Sequence, residues 1–370
     1  MIRPMRLAAT GTAAVSLALA LTACGQTAAT QAPAAGGGAD AGAGAGTEGI
    51  GLLLPESTSS TRYDAFDKPL IEKTVAGLCT KCTVSYANAG GDANAQKKQF
   101  DDMVAKGVKV ILLDPVDAKL TAPWVDAANA KGVKVVAYDR LAQGKVAAYV
   151  SFDNQQTGQL QGQSLLDALG PKASAASVVM IDGAESDPNA AQFKAGAHLA
   201  LDGKVKIPYE QSGEWKPDVA TAKMNEAIQS LGKNGFQAVY AANDGMAAAV
   251  IEALKAAGIK NVPVGGQDAS IDAIRRVLTG EQAYTIYKPY KPETDAAGTI
   301  AVQLAEGMDI STTATSSTDS GGLRIPSLLL TPIVVTKSRV EATVVVGGLY
   351  KASDICTQQY QDACAEAGVK

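Results

Sequence analysis

Strand-length and helix-length segments alternate along most of this chain, and this alternation constrains its fold more than any other feature. Short runs rich in Val, Ile and Leu are separated by segments long enough for a helix, which is the order of repeated βαβ units. Connections of this length pair parallel strands and lay a helix over the sheet. The predicted fold class is α/β, with two doubly wound halves that face each other as lobes.

The predicted elements form two series. The first contains Ile50–Leu54, Tyr63–Leu78, Thr83–Ala87, Ala93–Lys106, Val108–Leu113, Asp117–Lys131 and Val133–Ala137. The second follows Ala147–Val150 and contains Gln155–Leu169, Ala176–Ile181, Ala190–Leu201, Val205–Tyr209, Ala220–Leu231, Ala238–Tyr240, Met246–Ala257, Val262–Gly265, Ile271–Leu278 and Tyr284–Tyr287. Residues 311–322 are rich in Thr, Ser, Asp and Gly and predict an exposed loop. Two strands, Leu328–Thr331 and Ile333–Thr336, flank Pro332, as suits a chain that steps between lobes.

The amino terminus predicts an exported protein. Arg3 and Arg6 precede a short run of apolar and small residues that ends in Leu21-Thr-Ala-Cys24. Such a run is typical of a secretory signal peptide, here residues 1–23, and is too short for a membrane span. Its ending resembles a bacterial lipobox, which implies that Cys24 carries a lipid anchor; an ordinary signal with an incidental cysteine is the alternative. Residues 24–47, mostly Ala, Gly and Thr, then predict a flexible tether.

Charge and location limit the partners. The chain has 33 Lys and Arg against 37 Asp and Glu, a formal charge of −4. Loss of Arg3 and Arg6 with the leader makes the charge two units more negative. Mild acidity without a basic cluster argues against nucleic acid or anionic lipid as a partner. We therefore expect an extracytoplasmic protein that reaches the cell membrane only through its lipid.

The four remaining cysteines form two local pairs, Cys79 with Cys82 and Cys356 with Cys364. In an oxidising compartment this spacing predicts two short-loop disulfides. A redox-active Cys-x-x-Cys is the alternative for the first pair, which however lies where a helix ends rather than where one begins. With His198 the only histidine, and far away in sequence, we expect no metal site and no cofactor.

Two charged residues, Asp139 and Arg140, follow directly after the predicted strand Val133–Ala137. In open α/β sheets, small molecules bind in the crevice outside the carboxyl ends of the strands. A carboxylate accepts hydrogen bonds from two hydroxyls, and a guanidinium donates several. This pair therefore predicts a site for a neutral polyol such as a sugar.

Similar groups follow other predicted strands in both halves. They are Arg62, Tyr63, Asn189, Trp215, Asn243, Asp268 and Lys288. Tyr63 and Trp215, one from each half, are candidates for the flat rings that cover the apolar face of a pyranose. Each residue also has an ordinary structural interpretation. Asp244 is expected to cap the helix that follows it, Trp215 is as well suited to a core, and Lys288 to a solvated loop.

Five motifs carry a resemblance to a known family. They are Ala137-Tyr-Asp-Arg-Leu141, Tyr149-Val-Ser-Phe-Asp-Asn154, Ala242-Asn-Asp244, Gly266-Gln-Asp268 and Ile286-Tyr-Lys-Pro289. In this order they resemble the xylose-binding branch of the periplasmic sugar-binding proteins that feed ABC transporters, over about residues 50–342. The resemblance implies a type I, Venus-flytrap protein. Two Rossmann-like lobes would be joined by three hinge crossings, near residues 151–153, 284–288 and 331–333, with a monosaccharide between them.

The resemblance also implies boundaries, contacts and partners. The N-terminal lobe would comprise residues 48–151 plus 288–331, and the C-terminal lobe residues 152–287 plus 332–370. The family's sugar contacts carry over to Arg62, Tyr63, Asp139, Arg140, Asn189, Trp215, Asn243, Asp268 and Lys288. The branch commonly has Trp where Tyr63 stands, and the loop before Asn189 and the C-terminal cysteine pair also depart from it. The implied partners are xylose or a related aldopyranose and the permease subunits of an ABC importer, with the binding protein itself a monomer.

Three rival functions make different demands on the sequence. An enzyme is disfavoured because the chain has no phosphate-binding loop, nucleophile elbow or zinc-protease motif, although Asp139 and Asp268 could be proposed as a glycosidase pair. A transcription regulator would need a helix-turn-helix in place of the export signal. A sugar sensor that presents its ligand to a membrane receptor differs only in its partner.

Overall fold

In the computed structural model of the chain, the described residues are 48–58 and 60–370. The predicted signal peptide, the tether and Cys24 lie outside them. Among the described residues, no helix has both the length and the apolar character that a membrane crossing requires.

The described residues form strands β1 to β12 and helices α1 to α11. The strands are β1 Glu48–Leu54, β2 Cys82–Asn88, β3 Val110–Leu113, β4 Lys134–Tyr138, β5 Ala148–Phe152, β6 Ser177–Asp182, β7 Lys206–Ser212, β8 Ala238–Ala241, β9 Thr285–Tyr287, β10 Ser316–Ser320, β11 Leu323–Leu330 and β12 Ile333–Val335. The helices are α1 Lys68–Leu78, α2 Ala93–Ala105, α3 Ala122–Ala130, α4 Asn154–Leu169, α5 Pro188–Leu201, α6 Pro217–Leu231, α7 Asp244–Ala256, α8 Ile271–Thr279, α9 Tyr290–Ala305, α10 Ala352–Ile355 and α11 Gln361–Ala367.

A seven-stranded sheet, in the order β10-β11-β5-β4-β3-β1-β2, is parallel except for the β10–β11 pair. Successive side chains of a strand point to opposite faces. Leu52 accordingly packs with Val75 and Ile300 of α1 and α9, while Leu53 packs on the other face with Phe100 and other residues of α2 and α3. Both faces of the sheet are therefore covered, which explains why its strands read as continuous apolar runs.

A second sheet has the parallel order β7-β6-β8 and packs with α4 to α7 around its own core. Strands β9 and β12 form a separate antiparallel pair. The chain passes between the two bodies after Phe152, after Tyr287 and after Leu330. The predicted α/β class with two doubly wound lobes and three crossings is confirmed, and the crossings bring the carboxyl ends of the two parallel sheets to face each other.

Two predicted elements differ from the structure. Residues 311–322 were expected to be a loop, but Ser316–Ser320 pairs with β11 as an exposed edge strand. An edge strand of this kind buries few side chains, so its sequence has no apolar pattern that would predict it. The expected strand Val262–Gly265 is reduced to a single bridge between Val264 and Val239, since Pro263 has no N–H to donate to a ladder.

Two predicted helices begin later than expected. Lys68–Leu78 starts after a π-helical turn at Tyr63–Asp67, and Ala122–Ala130 starts after a 3₁₀ turn at Ala118–Leu120. In both cases a proline stands within the first two helical positions. Proline is tolerated there because those N–H groups lack an intrahelical partner, but it cannot sit deeper without losing a bond.

Both predicted cysteine pairs are bonded in the structure. Cys79–Cys82 links the end of α1 to the start of β2, and Cys356–Cys364 links α10 to α11. The first pair begins at a buried cysteine and follows a helix C-terminus. That position lacks the helix N-terminus that lowers a thiol pKa in redox-active pairs.

Candidate functional site

One cavity lies between the facing carboxyl ends of the two sheets. All nine predicted residues line it. The nine are Arg62, Tyr63, Asp139, Arg140, Asn189, Trp215, Asn243, Asp268 and Lys288. Ser60, Asp187, Phe193 and Gln267 complete the lining and were not predicted. Side chains separated by more than 200 residues in sequence thus converge on one small space.

Arg62 lies just before the π-helical turn that follows β1, and its guanidinium is buried. It donates to Asp67 Oδ2 through Nε at 3.0 Å and to Glu293 Oε2 through Nη2 at 2.6 Å. Its Nη1 donates to Asp139 Oδ1 at 3.4 Å. The ring of Tyr290 lies below it, 4.8 Å from Cζ. With so many partners, Arg62 presents its donors in one orientation.

Asp139 has a strained backbone, with φ of 55° in the left-handed region. Its carbonyl oxygen accepts hydrogen bonds from Ser151 Oγ at 2.6 Å, Tyr149 OH at 3.1 Å and Asn189 Nδ2 at 3.0 Å. Three donors, one of them from the second body, fix this left-handed conformation, which aspartate tolerates but adopts less often than an extended one. Strain that is maintained in this way is typical of functional positions.

The Asp139 carboxylate meets cations on several sides. Tyr63 OH donates to Oδ2 at 3.1 Å, and Lys288 Nζ lies 3.6 Å from Oδ1. Burial opposes ionisation, but Lys288, Arg62 and Arg140 outweigh it and hold the pKa of Asp139 well below its usual value. Asp139 is therefore an ionised acceptor at any physiological pH.

Arg140 joins the two bodies. Its Nε lies 3.5 Å from Asp114 Oδ1, after β3, and 3.1 Å from Asp187 Oδ2, before α5. Asp187 also caps α5 by accepting from Asn189 N at 2.8 Å, and it accepts from Trp215 Nε1 at 3.1 Å. A single carboxylate thus orients the cation, the helix and the indole.

Trp215 belongs to the second body and lies over a glycine. A Cβ atom added at Gly183 would come within 2.1 Å of Trp215 Cζ2, so only glycine permits this packing. The indole meets the ring of Phe193 edge-on, with centroids 6.4 Å apart. Trp215 itself has φ of 60°, a further strained residue at the cavity. Its partly buried indole borders the core and lines the cavity at once.

Asn243, and not Asp244, caps α7, which corrects the sequence interpretation. Asn243 Oδ1 accepts from Met246 N at 2.9 Å. Asp244 is already inside the helix and is buried; it accepts from Gln282 Nε2 at 2.8 Å and Ser270 N at 2.9 Å. The extended backbone of an N-cap belongs to the residue before the first helical one, and here that is the asparagine.

Lys288 occupies the second crossing and is buried, so it is not a solvated loop charge. Its Nζ lies 3.6 Å from Asp139 Oδ1 and 4.0 Å from Asp268 Oδ1. The rings of Phe193 and Phe152 lie 5.5 Å and 5.9 Å from Nζ. The ammonium therefore joins carboxylates of both sheets while aromatic faces shield it.

The unpredicted lining residues left weak signals in the sequence. Asp187 and Gln267 lie beside predicted residues, in the loop before Asn189 and in the Gly266-Gln-Asp268 motif. Phe193 follows Asn189 by four positions on α5, which places both on one helix face. Ser60 carries no signal that we can identify.

The lining combines acceptors, donors and rings. Its three carboxylates, Asp139, Asp187 and Asp268, match its three cations in number. His198 lies elsewhere on α5, against Asp202 and Glu210. Among the described residues, no group of His, Cys, Asp and Glu has a metal-binding arrangement. Such a cavity can hold a small polar molecule by hydrogen bonds without covalent chemistry.

Comparison with known proteins decides the family. Residues 50–309 match the family model described as periplasmic binding protein domain. The chain belongs to this family. Because members of this family are binding proteins, the prediction that the chain is not an enzyme is confirmed.

Individual periplasmic binding proteins resemble the chain over most of its length. The D-xylose-binding periplasmic protein of Escherichia coli (strain K12) is 33% identical over 297 residues, 78% of this chain and 87% of its own. The multiple sugar-binding periplasmic receptor ChvE of Rhizobium radiobacter is 30% identical over 328 residues, 83% and 92% of the two chains. A solved carbohydrate transporter solute binding protein from Chloroflexus aurantiacus, in complex with D-glucose, has a TM-score of 0.75 at 25% identity, covering 82% of this chain and 97% of its own.

Proposed function

We propose that this periplasmic binding protein captures a monosaccharide, xylose or a related aldopyranose, between two closing lobes and delivers it to the permease subunits of an ABC importer. The observation that carries the proposal is the convergence of all nine predicted residues on one buried cavity. The proposed lobes are residues 48–151 plus 288–331 and residues 152–287 plus 332–370. Their closure around the sugar would be a hinge motion at the three crossings.

The chemistry of the cavity lining favours a neutral polyol as the ligand. Asp139 is ionised and accepts from sugar hydroxyls, while Arg62, Arg140 and Lys288 donate to sugar oxygens. Equal numbers of carboxylates and cations leave no charge for an anionic ligand to neutralise. A uronic acid would bring an unpaired carboxylate into a buried site, at a cost of several kcal/mol. Trp215, Tyr63 and Phe193 supply the rings that cover a sugar's C–H face.

Similar proteins support an aldose as the ligand. One of them is described as D-xylose-binding and another as multiple sugar-binding, and a third is solved with D-glucose. The ribose import binding protein RbsB of Bacillus subtilis (strain 168) is 30% identical over 60% of this chain. We place xylose first because the relative described as D-xylose-binding shares 33% identity. A sensor that hands the sugar to a membrane receptor is the alternative use of the same site.

Location completes the proposal. The family is extracytoplasmic, and we propose that lipid on Cys24, followed by the tether of residues 24–47, keeps the binding protein at the outer face of the cell membrane. An anchored receptor stays close to its permease, which raises the local concentration of each for the other.

Tryptophan fluorescence provides a direct test, because the chain has two tryptophans. Trp215 lines the cavity, whereas Trp124 is buried against Phe100 in the core of the first body. Titration with xylose, glucose, galactose, arabinose and ribose should change the emission of the Trp124→Phe variant. The Trp215→Phe variant, which retains Trp124, should show no such change. If calorimetry detects binding of none of the five sugars, the sugar assignment is wrong.

A further inference from the structure

The carboxylate of Glu293 contacts Arg62 but does not line the cavity. It stands in the first turn of α9, five residues after Lys288, and is fully buried. Its Oε2 accepts from Arg62 Nη2 at 2.6 Å, and the same nitrogen lies 2.8 Å from Asp67 Oδ2. Two carboxylates therefore meet at one nitrogen of a cavity residue.

Each of these carboxylates keeps one buried oxygen without a hydrogen-bond partner, Glu293 Oε1 and Asp67 Oδ1. A buried, ionised oxygen without a donor is costly. Protonation of one member of the pair removes one of the two buried charges and so lowers that cost. If both carboxylates were ionised, both unpartnered oxygens would carry negative charge in a buried site.

The charges around Glu293 balance when one carboxylate of the cluster carries a proton. Arg62 and Asp67 approach it from the turn after β1, Asp139 from the end of β4 and Lys288 from the crossing before α9. Four tyrosines also face this cluster, Tyr63, Tyr138, Tyr149 and Tyr290, and Arg140 acts on its Asp139 side. Two cations oppose three carboxylates if all ionise, and one added proton makes the group neutral.

Glu293 is the member that holds the proton near neutral pH. Burial, partly offset by Arg62 and reinforced by Asp139 and Asp67, raises the pKa of Glu293 to about 8. Burial also raises the pKa of Asp67, but hydrogen bonds from both Arg62 and Tyr138 oppose the rise there. Asp139 stays ionised next to Lys288 and Arg62.

We propose that sugar binding is coupled to protonation of Glu293, which acts as a positioning residue for Arg62. The inference rests on the proposed sugar-binding function. A neutral Glu293 leaves Arg62 divided between Asp67 and the cavity, where it faces Asp139 and the sugar. An ionised Glu293 attracts the guanidinium of Arg62 away from the cavity. It also adds a negative charge that no cation of the cluster balances.

The sign of the pH dependence follows from hydration. Glu293 does not line the cavity, so the cavity acts on it through Arg62 and Asp139. Water in an open cleft screens these charges and favours ionised Glu293, whereas a sugar that closes the cavity removes this water and raises the pKa of Glu293. Binding then takes up protons. Affinity is highest at acidic pH, falls as pH rises from the pKa of Glu293 in the sugar-free form to its higher pKa in the sugar-bound form, and is level above that.

Calorimetry of the mature protein tests this, with D-xylose and D-glucose as the probes. Between about pH 5.5 and about pH 9, wild-type affinity should fall about three- to tenfold, corresponding to a pKa difference of half a unit to one unit. Titrations at one pH in buffers of different ionisation enthalpy should report proton uptake. The profile of Glu293→Gln should be flat, whatever its affinity. Asp295→Asn, on the same helix but bonded to Thr74 and Lys291, should keep the wild-type profile.

The outcomes separate the two proposals. Absence of binding at every pH would overturn the sugar-binding function itself. Binding with no proton uptake by the wild type, or a slope that survives in Glu293→Gln, would overturn the coupling and leave the function standing. A slope that survives in Glu293→Gln but vanishes in Asp67→Asn would assign the proton to Asp67 instead. If Glu293→Gln does not fold, the wild-type proton count and Asp67→Asn still decide.

Discussion

Replacing Asp139 by asparagine isolates the contribution of its charge to sugar binding. Asparagine has nearly the same shape and, like aspartate, tolerates the left-handed backbone at this position, where φ is 55°. The hydrogen bonds to the carbonyl oxygen from Ser151, Tyr149 and Asn189 are unaffected by the side chain. The variant therefore tests the carboxylate without collapsing the turn that holds it.

The expected magnitude follows from the contacts of that carboxylate. An ionised acceptor contributes about 1.5–3 kcal/mol to each hydrogen bond, and an amide retains part of this. Loss of charge-assisted bonds to two sugar hydroxyls amounts to about 3 kcal/mol, or about a 100-fold increase in Kd. Arg62 and Lys288, at 3.4 and 3.6 Å, would also lose a counter-charge. Asp139→Ala should weaken binding further, because alanine offers no acceptor and fits the backbone less well.

Isothermal titration with D-xylose at neutral pH provides the measurement. Asp167→Asn is the matched control, since Asp167 is an exposed residue of α4 whose partner is Gln163. It should bind like the wild type, and thermal unfolding of each variant without sugar checks that the fold persists. If Asp139→Asn binds within threefold of the wild type while remaining folded, the assignment of Asp139 as an ionised sugar acceptor is wrong.

Three further changes have defined outcomes. Gly183→Ala would place a Cβ 2.1 Å from the ring of Trp215, so it should displace the indole and weaken sugar binding about tenfold or more by calorimetry. Cys24→Ala should shift the protein from the membrane fraction to the soluble extracytoplasmic fraction; an unchanged distribution would contradict lipid anchoring. Replacing Cys356 and Cys364 by serine should lower the free energy of unfolding by about 2–3 kcal/mol in urea without changing sugar affinity.

Local patterns were sufficient for most of the fold. Runs such as Val110–Leu113 are wholly buried strands, as their β-branched composition predicts, and the long amphipathic segments are helices. Patterning failed where burial is slight, as at Ser316–Ser320, or where a proline interrupts pairing, as at Val262–Gly265. In both cases the pairing is defined by backbone hydrogen bonds, which do not require a periodic pattern of apolar side chains.

Position relative to strand ends was sufficient for much of the cavity lining. Most of the nine predicted residues line one space because the carboxyl ends of parallel strands share one edge of a sheet and the edges of the two sheets face each other. Lys288 reaches the same space from the antiparallel pair of β9 and β12. Phe193 was missed because it lies inside a helix, a full turn beyond the strand end. Glu293 was missed because α9 follows the second crossing rather than a strand of its own sheet. Only the packed structure places these two residues beside the others.

The sequence by itself determined the α/β class and the polar residues that end the strands, since each depends on neighbouring residues along the chain. Tertiary structure alone decided which charges meet. Arg62 and Glu293 are 231 positions apart and yet share a 2.6 Å hydrogen bond. Burial together with such pairing shifts the two pKa values in opposite directions, downwards for Asp139 and upwards for Glu293. Desolvation and Coulomb interactions act through space, and no local pattern records them.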